Sequence, residues 1–173
     1  MRHQDRAKTA PAAEGESDVA ARMDDTNINP ATGLATDYLN HFNEAVMLLE
    51  MFSSCPDCID DFLAWKPMSY CQHFGASKFK DRHAAIAAYE AADPEVRKNL
   101  DTLANTMNAL LEGTRAAMRL NMPLAKSRNL ADRTARALKP LIAHAGAVIN
   151  GDPDADAVQP DVLQATIDAL LKR

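Results

Sequence analysis

The stretch "LATDYLNHFNEAVMLLEMF", residues 34–52, decides the fold class. Within it Tyr38, Leu39, Phe42, Ala45, Val46, Leu49 and Phe52 recur at spacings of three and four. At 3.6 residues per turn those positions share one side of a helix and form a buried face. Thr36 or Asp37 stands near its start, and Asn29 or Thr32 is an alternative cap.

The same reading extends in both directions. Downstream, Pro56–Trp65 is a short helix with proline in its first turn and Asp57, Asp60 and Asp61 at its positive end. Pro67 ends it, because the residue before a proline is pushed out of helical geometry, and opens another helix running to about Phe79. The alanine-rich span Asp81–Ala92 is helical. Asp93 then caps a long helix from Glu95 to about Leu120, with Leu100, Leu103, Met107, Leu110, Leu111, Thr114 and Met118 as its stripe.

Asn121 and Pro123 mark a turn. A further helix spans Leu124 to about Ile149, with Leu130, Thr134, Leu138, Leu141, Ala145 and Val148 inward. Pro140 should kink or break it by removing a hydrogen bond and crowding the preceding turn. Residues 150–160 read as a linker and residues 161–173 as a short amphipathic helix. Upstream, residues 1–29 are polar and aperiodic, the composition of a disordered tail. Aromatic residues are only 5% and no strand pattern of any length occurs, so the expected fold is all-α. The bundle at residues 30–150 has three long core helices plus short ones.

Composition and charge exclude several classes. No run approaches the roughly 18 apolar residues of a membrane span. The first residues, MRHQDRAKTAPAAEGES, lack the apolar centre of a secretory signal, so a cytoplasmic protein with reduced thiols is expected. Six scattered glycines cannot build a nucleotide loop.

The three cysteines raise the sharpest chemical question. Cys55 and Cys58 have a familiar ligand spacing, and Cys71 and His73 follow. Four such ligands could hold zinc, but only if residues 71–73 are irregular or extended. In a helix Cys71 and His73 would lie about 200° apart. Helical spacing instead groups Tyr70, Cys71 and Phe74, which makes Cys71 a small core residue. A redox reading puts Cys55 at a helix N-terminus, yet Asp57, Asp60 and Asp61 oppose a thiolate there.

Five histidines suggest other sites. A di-iron bundle would need Glu-x-x-His on two helices, and the chain has none. His41 and Glu44, one turn apart, read as a hydrogen-bonded pair. His83, among basic neighbours, and His144, among small ones, are candidates for histidine phosphotransfer.

One charge feature stands out. Arg115, Arg119, Lys126, Arg128, Arg133, Arg136 and Lys139 face only Asp132, so this segment carries +6 and the rest of the chain −11. Lys126, Arg133 and Arg136 approach one helix face and could dock an acidic partner. The missing aromatic residues argue against nucleic acid. A spare apolar stripe leaves a homodimer open. The leading expectation is a regulatory or adaptor protein, not an enzyme, that binds another macromolecule. The alternatives are a metal or thiol module on Cys55, Cys58, Cys71 and His73, and a phosphotransfer bundle.

Overall fold

The apolar stripe of residues 34–52 forms α1, Leu39–Met51, preceded by a 3-10 turn at Thr36–Tyr38. The computed structural model describes residues 27–155 apart from Ser53, Phe79 and Asn121. No side chain caps α1. Asn29 and Thr32 organise the approach to it instead. Asn29 Oδ1 accepts from the Ala31 N–H at 2.8 Å, and the Thr32 hydroxyl donates to the Ile149 carbonyl at 2.6 Å. Gly33, at φ 70°, turns the chain directly after Thr32, and a Cβ there would lie 2.9 Å from the Ala88 carbonyl oxygen.

After α1 a 3-10 turn at Pro56–Cys58 runs into α2, Ile59–Ala64. The next helix, α3, is Tyr70–Ala76. Pro67 does not open it, and Ser69 does so through a capping box. The Ser69 hydroxyl accepts from the Gln72 N–H at 3.3 Å, and Gln72 Oε1 accepts from the Ser69 N–H at 2.9 Å. Two reciprocal bonds satisfy two otherwise orphaned donors, so the cap outweighs the proline. The helix stops at Ala76, short of the expected Phe79, where Ser77 turns extended.

The remaining helices are α4, Arg82–Ala91, α5, Pro94–Met118, and α6, Leu124–Asn150. Asp93 caps α5 as expected, accepting from the Glu95 and Val96 N–H groups at 2.8 and 3.4 Å. The expected break at Pro140 does not occur, and α6 continues through it. The bond that Pro140 cannot donate would have gone to the Arg136 carbonyl, four residues back. Both residues are exposed, so solvent can take up that carbonyl. At its end α6 closes on Gly151, φ 71°, in a Schellman pattern. The Gly151 and Asp152 N–H groups donate to the Val148 and Ala147 carbonyls at 3.1 and 3.0 Å.

Among the described residues the fold is all-α, and its only extended pairing is one isolated bridge between Ile28 and Ala35. Helix α6 packs against both α1 and α5. It runs antiparallel to α1, since Leu39 faces Gly146 while Glu50 pairs with Lys139. With α5 it forms a hairpin that the Thr114 and Thr134 hydroxyls bridge at 2.9 Å inside the core. Phe42, Leu49, Leu100, Leu103, Met107, Leu111, Leu138 and Leu141 have essentially no exposure. Of the expected inward positions of α5 and α6, Leu110 and Leu130 are half-buried and the rest are buried.

The core is wider than the expected bundle limits. Of the expected tail only residues 27–29 are described, and Ile28 belongs to the core. Ala155, within the expected linker, is also buried. The rest of that linker and the expected helix at 161–173 lie outside the described residues. Among the described residues no helix is long and apolar enough to cross a membrane.

Candidate functional site

Three groups of residues carry chemistry, and the fold treats each differently. The first is a histidine and aromatic cluster where α1 meets α3. His41 is only 3% exposed and stacks on Trp65, with ring centroids 4.5 Å apart and planes 21° apart. The Trp65 indole N–H donates to the His41 carbonyl at 3.2 Å. The His73 ring stands 5.9 Å from the His41 ring and 5.7 Å from that of Tyr38. His41 Nε2 is buried without a hydrogen-bond partner.

That setting decides the charge of both histidines. Burial first and the nearby His73 second hold His41 down to about 4, against a hydrogen bond to the Lys66 backbone that works the other way. Burial also lowers His73, while the charges of Asp37 and Glu44 and a hydrogen bond to the Asp37 backbone oppose it. Both rings are therefore neutral at pH 7. The expected pairing of His41 with Glu44 gives way to this arrangement. Glu44 is exposed, and its charge acts on His73. Sequence reasoning missed this cluster, although His41 follows Tyr38 by three and precedes Ala45 by four, the spacing of a buried position.

The second group is the cysteines. All three are free thiols of intermediate exposure. Cys55 and Cys58 stand at either end of the 3-10 turn before α2, and the Cys58 N–H donates to the Cys55 carbonyl at 3.0 Å. Hydrogen bonding to Cys55 comes first in raising the Cys58 thiol to about 11, ahead of slight burial and the charges of Cys55, Asp61 and Asp57. Cys71 and His73 both lie within helical α3, where His73 meets Tyr38 and His41 and Cys71 packs against the core. Burial comes first in raising the Cys71 thiol. The structure thus brings Cys55 to Cys58, and among the described residues no three His, Cys, Asp or Glu side chains gather to hold a metal ion.

The third group is the basic segment, part of which is used within the fold. Arg115 and Arg119 both donate to the Leu63 carbonyl, at 2.8 and 2.9 Å, near the C-terminus of α2. Two cations at that negative end are favourable. Lys139 pairs with Glu50 of α1 at 2.6 Å. Lys126 and Arg136 are exposed and Arg133 is half-buried. Helical geometry puts Lys126 and Arg133 about 20° apart around the axis and Arg136 about 80° from Lys126. The tip of the α5–α6 hairpin adds a feature that the charge count alone did not reveal. Leu120 is 80% exposed and Leu124 48%.

The remaining histidines lie apart from these groups. His83 is exposed on α4 and accepts from Arg82 Nε at 3.3 Å, and His144 is half-buried on α6. A shallow depression of about 400 Å³ lies where α4 meets α5, lined by Tyr89, Arg97, Asp101 and Asn105 among others. Its polar groups already hold one another: the Tyr89 hydroxyl donates to Asp101 at 2.8 Å and Arg97 lies over the Tyr89 ring.

Comparison with known proteins brings no match: no family model, no curated protein and no solved structure aligns with this chain.

Proposed function

We propose that this protein is a small all-α module that works by binding an acidic protein partner at the tip of the α5–α6 hairpin. One observation carries the reading, the N-terminus of α6. A helix N-terminus carries partial positive charge and is stabilised by acidic side chains or a capping oxygen. This one begins after Pro123 with no side-chain cap and no acid in its first turn. Its first turn bears Lys126 instead, and Arg128 follows on the next turn.

The Lys126 cation in that turn costs about 0.3–1 kcal/mol in the isolated chain. A local rule broken without compensation inside the fold is the mark of a functional surface. Carboxylates from a partner would reverse the sign of that cost. The exposed Leu120 and Leu124 add apolar anchors beside the charge, and an apolar centre with a charged rim is how protein interfaces are built. The tip and the adjoining face contain no aromatic residue between Arg115 and Lys139, which disfavours single-stranded nucleic acid. A second copy of the chain would bring like charges together at this tip, which disfavours self-association there.

A photo-crosslinking amino acid placed at Leu120 tests the reading in cells that express the chain. One discrete adduct with an acidic protein is expected. It should disappear in Lys126→Glu/Arg136→Glu and weaken as salt rises. The same label at the exposed Glu90 of α4 should give no such adduct. Equal labelling from both positions, or an adduct indifferent to the charge reversal, would overturn the proposal.

A further inference from the structure

The geometry points to Cys55 and Cys58 as a dithiol that closes to a disulfide by exchange with a cationic small-molecule disulfide. Three features of the corner between α1 and α2 support this. The two residues bracket one 3-10 turn, whose rise of about 2 Å per residue sets their Cα atoms about 6 Å apart, inside the range a disulfide spans. The Cys58 N–H donates to the Cys55 carbonyl at 3.0 Å, which closes the turn and holds the two residues together. Both side chains are partly exposed, so a small reagent can reach them.

The charges around the pair select the reagent. Asp57 lies between the cysteines, and Asp60 and Asp61 open α2 just beyond them; all three are exposed. Three carboxylates within about 10 Å attract a cation and repel an anion, more strongly at low salt. Hydrogen bonding to Cys55 comes first in raising the Cys58 thiol, and the charges of Asp61 and Asp57 act the same way, so Cys58 attacks second, on the mixed disulfide formed beside it.

The Cys55 thiolate attacks one sulfur of R–S–S–R, forms Cys55–S–S–R and expels RS⁻. Cys58 gives its proton to solvent, attacks the Cys55 sulfur and expels a second RS⁻. Two protein thiols lose two electrons, and the small disulfide gains them as two thiols. The product ties the last turn of α1, where the Cys55 N–H already donates to the Met51 carbonyl, to the start of α2.

The test treats the full chain with cystamine, which is cationic, and with bis(2-hydroxyethyl) disulfide, its neutral counterpart. Closure should appear in the mass spectrum as loss of two hydrogens, with only Cys71 left to alkylate. Cys58→Ser should stop at the stable mixed disulfide on Cys55. Cystamine should react faster than its counterpart, and that ratio should fall about tenfold in Asp57→Asn/Asp60→Asn/Asp61→Asn, which changes only exposed side chains. Persistent mixed disulfides in the parent chain, closure through Cys71, or a ratio unchanged by the three substitutions would each overturn the assignment.

Discussion

Acidification should destabilise this protein through His41, and His41→Phe should remove that sensitivity. The buried ring has its pKa lowered from an ordinary value near 6.5 to about 4. The folded value lies below the unfolded one, so the unfolded chain takes up the proton first. Stability from this group is therefore full above about pH 6.5 and falls as the pH drops toward 4. At about 1.36 kcal/mol per pH unit, the loss is roughly 1.4 kcal/mol at pH 5.5 and roughly 2.5 kcal/mol at pH 4.5. His73 is displaced in the same direction and adds to the loss, moderated by Asp37 and Glu44.

Phenylalanine keeps an aromatic ring against Trp65 and leaves in place the His41 backbone carbonyl that accepts from the indole. Urea unfolding of parent and variant at pH 7.5, 6.5, 5.5 and 4.5 gives the comparison. The difference between the two unfolding free energies should shift in favour of His41→Phe by roughly 2 kcal/mol or more across that range. Carboxylates that titrate at the low end are common to both chains and cancel. Parallel curves would refute the reasoning, since they would mean that the His41 ring takes up its proton in the folded state at the ordinary pH.

Three further substitutions test the fold around the site. Asp93→Ala removes the cap of α5 and should cost about 1 kcal/mol by chemical denaturation with unchanged cooperativity. Gly33→Ala should lower the thermal midpoint by several degrees, because its φ of 70° and the Ala88 carbonyl oxygen 2.9 Å from the added Cβ both oppose a side chain. Tyr70→Phe deletes the hydroxyl that accepts from the buried Ala35 N–H at 2.8 Å. Leaving that donor unpaired should cost about 1–3 kcal/mol in urea unfolding.

Much of the helical framework was legible in the amino-acid order, because a 3.6-residue apolar period and a capping residue are local signals. Asp93 before Pro94, and the stripe from Leu100 to Met118, needed no partner to be read. The misreadings came where two local signals compete or where solvent matters. Pro67 looked like a helix start, but the reciprocal bonds of Ser69 and Gln72 prevailed. Pro140 looked like a break, but its exposed side leaves the affected carbonyl to water. Among the candidate sites, the basic segment was visible as charge, yet not how the fold divides it. Nothing local says that Arg115 and Arg119 reach back more than fifty residues to the Leu63 carbonyl, leaving Lys126 and Arg136 exposed.

The all-α class, the Cys55–Cys58 spacing and the cationic run each depend on residues within a few turns of one another, so amino-acid order alone carries them. Which histidines are buried depends instead on contacts between segments far apart in the chain. His41, Trp65 and His73 are separated by 24 and 8 positions along the chain, and it is the packing of α1 against Trp65 at the end of α2 and against His73 on α3 that brings the rings together and desolvates them. Burial is set by what packs over a residue from elsewhere in the chain, and a local pattern cannot carry that information.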